Sequence, residues 1–251
     1  MSEFKDHFSG HAAVYAAARP DYPEALFAWL AQQAPSRGTA WDCATGSGQA
    51  AVALATYFDD VHATDASREQ IANARAYEKV HYAVAAAETS GLPEASLDLI
   101  TVAQAAHWFE LPAFYTEARR TLKPRGVLAM WGYGLTRIDP VIDRVMDAFD
   151  AGIIGPYWPP ERRHIDNAYA DLEFPFARIA APAFRMLKRW TLAEFLAYIG
   201  SWSAVQRYRK QKGVDPIVWL RQELYALWGK GGNTRDVTWP LFMLAGTKGE
   251  M

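Results

Sequence analysis

The sequence predicts an α/β fold: a doubly wound, mostly parallel sheet of seven strands with a helical cover near its C-terminal end. Three observations carry this. Short apolar runs alternate with helix-length segments from Thr39 to Trp131, a glycine turn (Thr45-Gly-Ser-Gly48) follows the first run, and Asp65 closes the second run nineteen residues after Gly46. In such a sheet, ligands sit outside the carboxyl ends of the strands.

Taken in order, residues 23–34 place Leu26, Phe27, Leu30 and Ala34 near helical spacing, and Pro35 with Gly38 ends that helix. Thr39–Asp42 reads as the first strand. Gly48 to Phe58 is rich in Ala, the best intrinsic helix former, and predicts a buried helix. Val61–Asp65 is the second strand. Ser67-Arg-Glu-Gln70 has the form of a capping box, predicting a helix to about Lys79. Val80–Ala85 and Leu97–Ala103 are the third and fourth strands, parted by the breaker Gly91-Leu-Pro93. Pro112 suits a helix's first turn, and Lys123-Pro-Arg-Gly126 stops that helix before a fifth strand at Val127–Trp131. Beyond residue 134 the rhythm changes. Gly155-Pro-Tyr-Trp-Pro-Pro160 is a breaker cluster within a mostly helical insertion from Arg137 to about Asp171, and Thr191-Leu-Ala-Glu194 is a second capping box. Thr238–Thr247 is the final strand, with Pro240 at an edge or bulge. The expected organisation is one domain. Residues 1–38 cap the sheet with helices, 39–134 form the cofactor core, 135–235 the helical and aromatic cover, and 236–251 the last strand.

At 251 residues the chain is long enough to bury a sizeable core. Its 26 basic and 28 acidic side chains leave a net charge of −2, which gives no electrostatic footprint for nucleic acid. The run Arg207, Arg209, Lys210 and Lys212 reads as a solvated helix face. Cys43 is the single cysteine, so no intramolecular disulfide forms, a reducing compartment is expected, and the thiol is read as a small buried apolar group. The N-terminus is too polar for a signal peptide, and no apolar stretch reaches the roughly 18 residues of a membrane span. A cytoplasmic monomer or homodimer without a membrane partner is expected.

The glycine turn narrows the ligand. Bare backbone N–H groups approach a ligand closely there, and an acid about 20 positions on reaches ribose hydroxyls, so a nucleoside cofactor is implied. Gly46-Ser-Gly48-Gln-Ala-Ala51 satisfies the dinucleotide fingerprint, and the glycines alone admit a nicotinamide cofactor as well as S-adenosylmethionine. Asp42 separates the two. A carboxylate at the strand tip repels a pyrophosphate, whereas it favours the ammonium and sulfonium cations of S-adenosylmethionine. The same carboxylate has a second reading, as an acceptor for local N–H groups that hold the loop.

Several spaced motifs together resemble the class I S-adenosylmethionine-dependent methyltransferases. Asp42-Cys-Ala-Thr-Gly46-Ser-Gly48 is similar to that family's first motif, and Leu122-Lys-Pro-Arg-Gly126-Val-Leu128 to the turn before its fifth strand. Gln104-Ala-Ala-His107-Trp108-Phe109, Tyr15, Arg19-Pro-Asp-Tyr-Pro23 and Ser201-Trp-Ser-Ala-Val resemble a small-molecule branch of the trans-aconitate and ubiquinone type. The likeness is strong over residues 8–134 and weaker over 190–247. It implies a Rossmann-like methyltransferase fold that binds S-adenosyl-L-methionine and releases S-adenosyl-L-homocysteine after methylating a small molecule. It also implies cofactor contacts from Tyr15, Arg19, Asp42, Ala44, Gly46, Gly48, Asp65, Ala66, Ala87, Glu88 and Gln104. Ala44 and Arg125 depart from the family by standing where glycines are usual, and Ala44 is expected to avoid positive φ.

Asp65 reads as the ribose acid rather than a helix cap, since Ser67 is available to cap. Gln104 either meets the ligand or satisfies its own loop. His107 is a candidate general base or a hydrogen-bonded structural residue, and Trp108 a substrate-pocket wall or a core residue. Tyr157, Trp158, Trp190, Trp202, Tyr208, Trp219, Tyr225 and Trp228 are expected to build the core of the cover, with Arg162, Arg163 or Arg207 available to a carboxylate. Two competing readings stand beside methyl transfer: a nicotinamide-dependent oxidoreductase, from the Gly46–Ala51 string, and a non-catalytic S-adenosylmethionine-binding module, from Ala44 and the uncertain base.

Overall fold

The parallel half of the sheet follows from its apolar strands. In the computed structural model, which describes residues 20–229 and 232–250, β1 (Thr39–Cys43), β2 (Asp60–Asp65), β3 (Val80–Val84), β4 (Leu97–Ala103) and β5 (Leu122–Tyr133) run parallel in the order β3-β2-β1-β4-β5. The strands at the centre are nearly continuous apolar runs because helices cover both faces: every residue of β4 but the last is buried. One face packs α1 (Glu24–Gln33) and α2 (Gln49–Leu54) through Leu26, Leu30, Ala51 and Leu54. The other packs α4 (Leu111–Thr121) through Phe114 and Ala118 against Trp41 and Ile100.

The second helix and the third end sooner than their composition predicts. α2 stops at Leu54, and α3 (Arg68–Ala72) ends at Asn73 rather than near Lys79. The Ser67 side chain does cap α3, accepting the Gln70 N–H at 3.3 Å. What ends the helix early is a competing set of contacts. The Arg75 N–H donates to the Ser47 carbonyl at 3.0 Å and the Tyr82 hydroxyl to the Arg75 carbonyl at 2.7 Å, so the segment is pinned to the glycine loop instead of continuing as helix.

The cover carries a core of its own and is not purely helical. It contains α5 (Pro140–Phe149), a π-helical turn at Asp150–Ile154, α6 (Arg162–Asp166), α7 (Leu192–Gly200), α8 (Ser203–Lys212) and α9 (Ile217–Trp228). It also contributes β6 (Ala177–Arg178) and β7 (Arg185–Thr191), so the sheet has eight strands. The Thr191–Glu194 capping box is complete at the start of α7. Phe149, Phe195, Trp228 and Trp239 are buried together in this second core. Tyr225, expected inside, stands 68 % exposed, because on α9 the buried positions are Ile217, Leu220, Leu224 and Trp228.

The last strand, β8 (Thr234–Thr247), joins the two halves. Residues 234–240 pair antiparallel with β7, and residues 241–247 pair antiparallel with β5. Pro240 sits at the changeover, where its missing N–H costs the β5 ladder nothing. No described helix is long and apolar enough to cross a membrane.

Candidate functional site

The carboxyl ends of β1, β2, β4 and β5 converge on one edge of the sheet, and the glycine loop begins there. After Cys43 the chain reverses through Ala44 at φ 56°, Gly46 at φ 54° and Gly48 at φ 80°. Ala44 therefore occupies the left-handed region it was expected to avoid. An L-residue tolerates this at a cost of roughly 1–2 kcal/mol, and the Thr45 N–H bonded to the Thr64 carbonyl at 2.9 Å holds it there. Gly48 is needed for a second reason: a Cβ there would strike the Tyr82 ring and hydroxyl. At Gly46, by contrast, a Cβ would meet no described residue nearer than Gln70, whose amide oxygen is 4.0 Å away, so among the described residues that face of the loop is open.

Asp65 ties the loop to the next helix. Its Oδ2 accepts the Gly46 N–H at 2.9 Å and its Oδ1 accepts the Ser67 N–H at 2.8 Å. Asp42 lies beneath the loop and not on its open side. The carboxylate is 1 % exposed and accepts the Thr45 hydroxyl at 2.6 Å and the Thr101 hydroxyl at 2.9 Å. Burial pushes its pKa up to about 6 despite those bonds. Of the two readings of Asp42, the geometry selects the loop brace: a side chain closed off by Thr45 and Thr101 does not reach a ligand.

The neighbouring candidates are also spoken for by the chain. Ala66 is exposed beside Asp65, and Ala87 turns its side chain into the core. Glu88 Oε1 accepts the Glu110 N–H at 3.0 Å, at the N-terminus of α4. The Ala87–Glu88 loop is held from behind by Glu117, which accepts the N–H and hydroxyl of Ser90 and pairs with Arg120 at 2.7 Å. These bonds, with Arg120 foremost, pull the Glu117 pKa down to about 2. Cys43 is buried, and burial raises its thiol pKa far enough to keep it unreactive. Tyr15 and Arg19 lie outside the described residues.

Gln104 is a second strained non-glycine residue, at φ 58°. Its amide and the Tyr133 backbone exchange two 2.9 Å hydrogen bonds, which lock the ends of β4 and β5 together. Gln104 thus satisfies backbone and still lines a cleft of about 90 Å³ with His107, Trp108 and Tyr133 on the sheet side. Trp158, Arg162, Tyr198 and Trp202 close it from the cover. Trp108 is a wall of this cleft and also packs on the core.

His107 faces Tyr169, with Nδ1 3.2 Å from the hydroxyl. Burial first, then the charges of Arg162 and His164, hold its pKa down at about 3. At that pKa the ring is neutral at pH 7, a poor match for a base, which works best with a pKa near the working pH, and its contact with Tyr169 fits the hydrogen-bonded structural reading. Tyr198, which lines the cleft, and Tyr169, the partner of His107, were not singled out in the sequence. Tyr169 emerges from a left-handed turn, φ 59°, just after α6, and no periodicity announces it.

Comparisons with known proteins agree with this geometry. A family model described as a methyltransferase domain matches residues 41–130. A candidate methyltransferase from Dictyostelium discoideum is 35 % identical over 98 % of this chain and 97 % of its own. A solved structure of a candidate type II methyltransferase from Anaeromyxobacter dehalogenans shares 45 % identity and a TM-score of 0.88, over 93 % of this chain and 99 % of that one. The YcgJ protein from Bacillus subtilis, at 16 % identity, shares the fold with a TM-score of 0.51, over 91 % and 100 % of the two chains.

Proposed function

The chain belongs to the class I S-adenosylmethionine-dependent methyltransferases, and from that premise we propose that it methylates a small molecule held in the cleft between Gln104, His107 and the cover. The supporting observation is the loop itself: an open face at Gly46, bordered by Asp65 and by the loop after β3. This arrangement fits S-adenosylmethionine. Asp65 would take the ribose diol, the backbone of Gly46, Gly48, Ala66 and Ala87–Glu88 would border the rest, and Asp42 would keep the loop in shape from below. The bound cofactor supplies an electrophilic methyl group on a sulfonium.

The chain's own contribution is orientation and exclusion of water. Gln104 fixes the end of β4, and the rings of Trp108, Trp158 and Trp202 displace solvent from the cleft. A neutral His107 donates or accepts a hydrogen bond without removing a proton, so the acceptor atom enters with its lone pair available. Calorimetric titration with S-adenosylmethionine and, separately, NAD⁺ tests the reading, followed by transfer of labelled methyl to a panel of small acceptors. Binding of S-adenosylmethionine with transfer is expected. Binding of NAD⁺ alone would favour an oxidoreductase, and binding without transfer to any acceptor would favour a non-catalytic module.

A further inference from the structure

The cleft contains one cation set for a ligand. Arg162 is charged, yet its side chain is only 16 % exposed, a placement that needs compensation. Its Nε donates to Asp166 Oδ1 at 2.9 Å, from a carboxylate on the outer rim that is itself 56 % exposed. Its guanidinium carbon lies 4.3 Å over the Trp158 ring, which fixes the plane of the group. A second acid, Asp150, feels the Arg162 charge but spends Oδ1 on the Trp158 indole N–H at 2.8 Å. Among the described residues no acceptor is bound to either terminal nitrogen of Arg162, and Arg162 lines the cleft.

We infer that the acceptor is a small carboxylate, anchored through its carboxyl group on the terminal nitrogens of Arg162 and lying against the Trp158–Trp202 pair. This rests on the methyl-transfer reading of the same cleft. A planar guanidinium fork matches a carboxylate bidentately, and the stacked indole keeps the fork presented in one plane. Trp158 and Trp202, packed on each other with ring centroids 5.7 Å apart, supply one apolar wall for a flat body.

His107 lines the same cleft, its Nδ1 lying 3.2 Å from the Tyr169 hydroxyl. A carboxylate tied up by a guanidinium is a poor nucleophile. The methylated atom is therefore a different group of the molecule, placed toward Gln104.

The test is calorimetry with benzoate and its neutral isostere benzamide, each in the presence of saturating S-adenosylhomocysteine. Benzoate is expected to bind at least about tenfold more tightly than benzamide. Arg162→Gln should remove that preference and leave benzamide and S-adenosylhomocysteine affinities unchanged. Arg162→Lys, which keeps the charge but not the fork, should retain part of it. Equal affinities for the two probes, no benzoate binding at millimolar concentration, or an unchanged preference in a folded Arg162→Gln protein would overturn the proposal. If S-adenosylhomocysteine itself fails to bind, the methyl-transfer reading falls, whereas the anion anchor is judged separately from the benzoate and benzamide titrations repeated without it.

Discussion

The Tyr82 hydroxyl rests in the space that a Cβ on Gly48 would fill, while donating to the Arg75 carbonyl at 2.7 Å. Gly48→Ala therefore meets two penalties, a left-handed backbone worth about 1–2 kcal/mol and a collision with the ring. Tyr82→Phe in that background should recover part of the loss by removing the oxygen. Urea unfolding of the two single variants and the double checks this. Strictly additive losses would show that the contact is not what excludes a side chain at Gly48.

Asp65→Ala removes the acceptor for both the Gly46 and the Ser67 N–H groups. Stability should fall by about 1–3 kcal/mol, and S-adenosylmethionine affinity should fall more than tenfold. Asp65→Asn keeps one acceptor oxygen and should lie between. Calorimetry on each variant separates the two effects, and unchanged cofactor affinity in Asp65→Ala would remove Asp65 from the binding site.

Asp42 makes stability depend on pH in the sense opposite to a salt-bridged acid. Its pKa is raised from 3.8 to about 6, so between those values the folded state holds a proton that the unfolded state has lost. The contribution is close to zero at pH 4, turns unfavourable as pH rises toward 6, and amounts to a penalty of roughly 3 kcal/mol above that. Asp42→Asn, whose amide can still engage the two threonine hydroxyls, should lack this decline. Denaturation at pH 4.5 and 7 should thus favour the variant increasingly at the higher pH, and parallel curves for the two proteins would contradict the assignment.

His107 should show no titration between about pH 5 and 8 when its ring is followed by NMR. Its pKa of about 3 has burial as the first cause and the Arg162 charge as the second. Arg162→Gln should raise the pKa without restoring the ordinary 6.5. An inflection near neutrality in the wild-type protein would reopen the case for a proton-accepting role.

The parallel half of the fold was legible because period and punctuation agree there: β4 is delimited residue for residue, and β1, β2 and β3 to within one or two. Helix lengths were less so. Ser67 announces where α3 begins, but its end is set by Arg75 and Tyr82 reaching the glycine loop, a contact between segments that no local pattern encodes. The same holds for the cleft. Gln104 and His107 could be picked out because they follow an apolar strand, and Arg162 as one of three candidate cations, whereas Tyr198 arrives from an insertion whose aromatics look alike in sequence. Asp42 illustrates the limit from the other side: its charge type was read, and its facing, down toward Thr101, was not.

The chain leaves the sheet for the cover near Arg137 and returns near Thr238, and these two crossings are hydrogen-bonded to each other at 2.8 and 2.9 Å. β8 then runs unbroken from the β7 ladder into the β5 ladder, which ties the base of the cover to the sheet. For protein engineering the corollary is a rule about where to cut. A cover transplanted between relatives must bring residues 137 and 234–240 together, because either crossing alone leaves the other without its ladder partner.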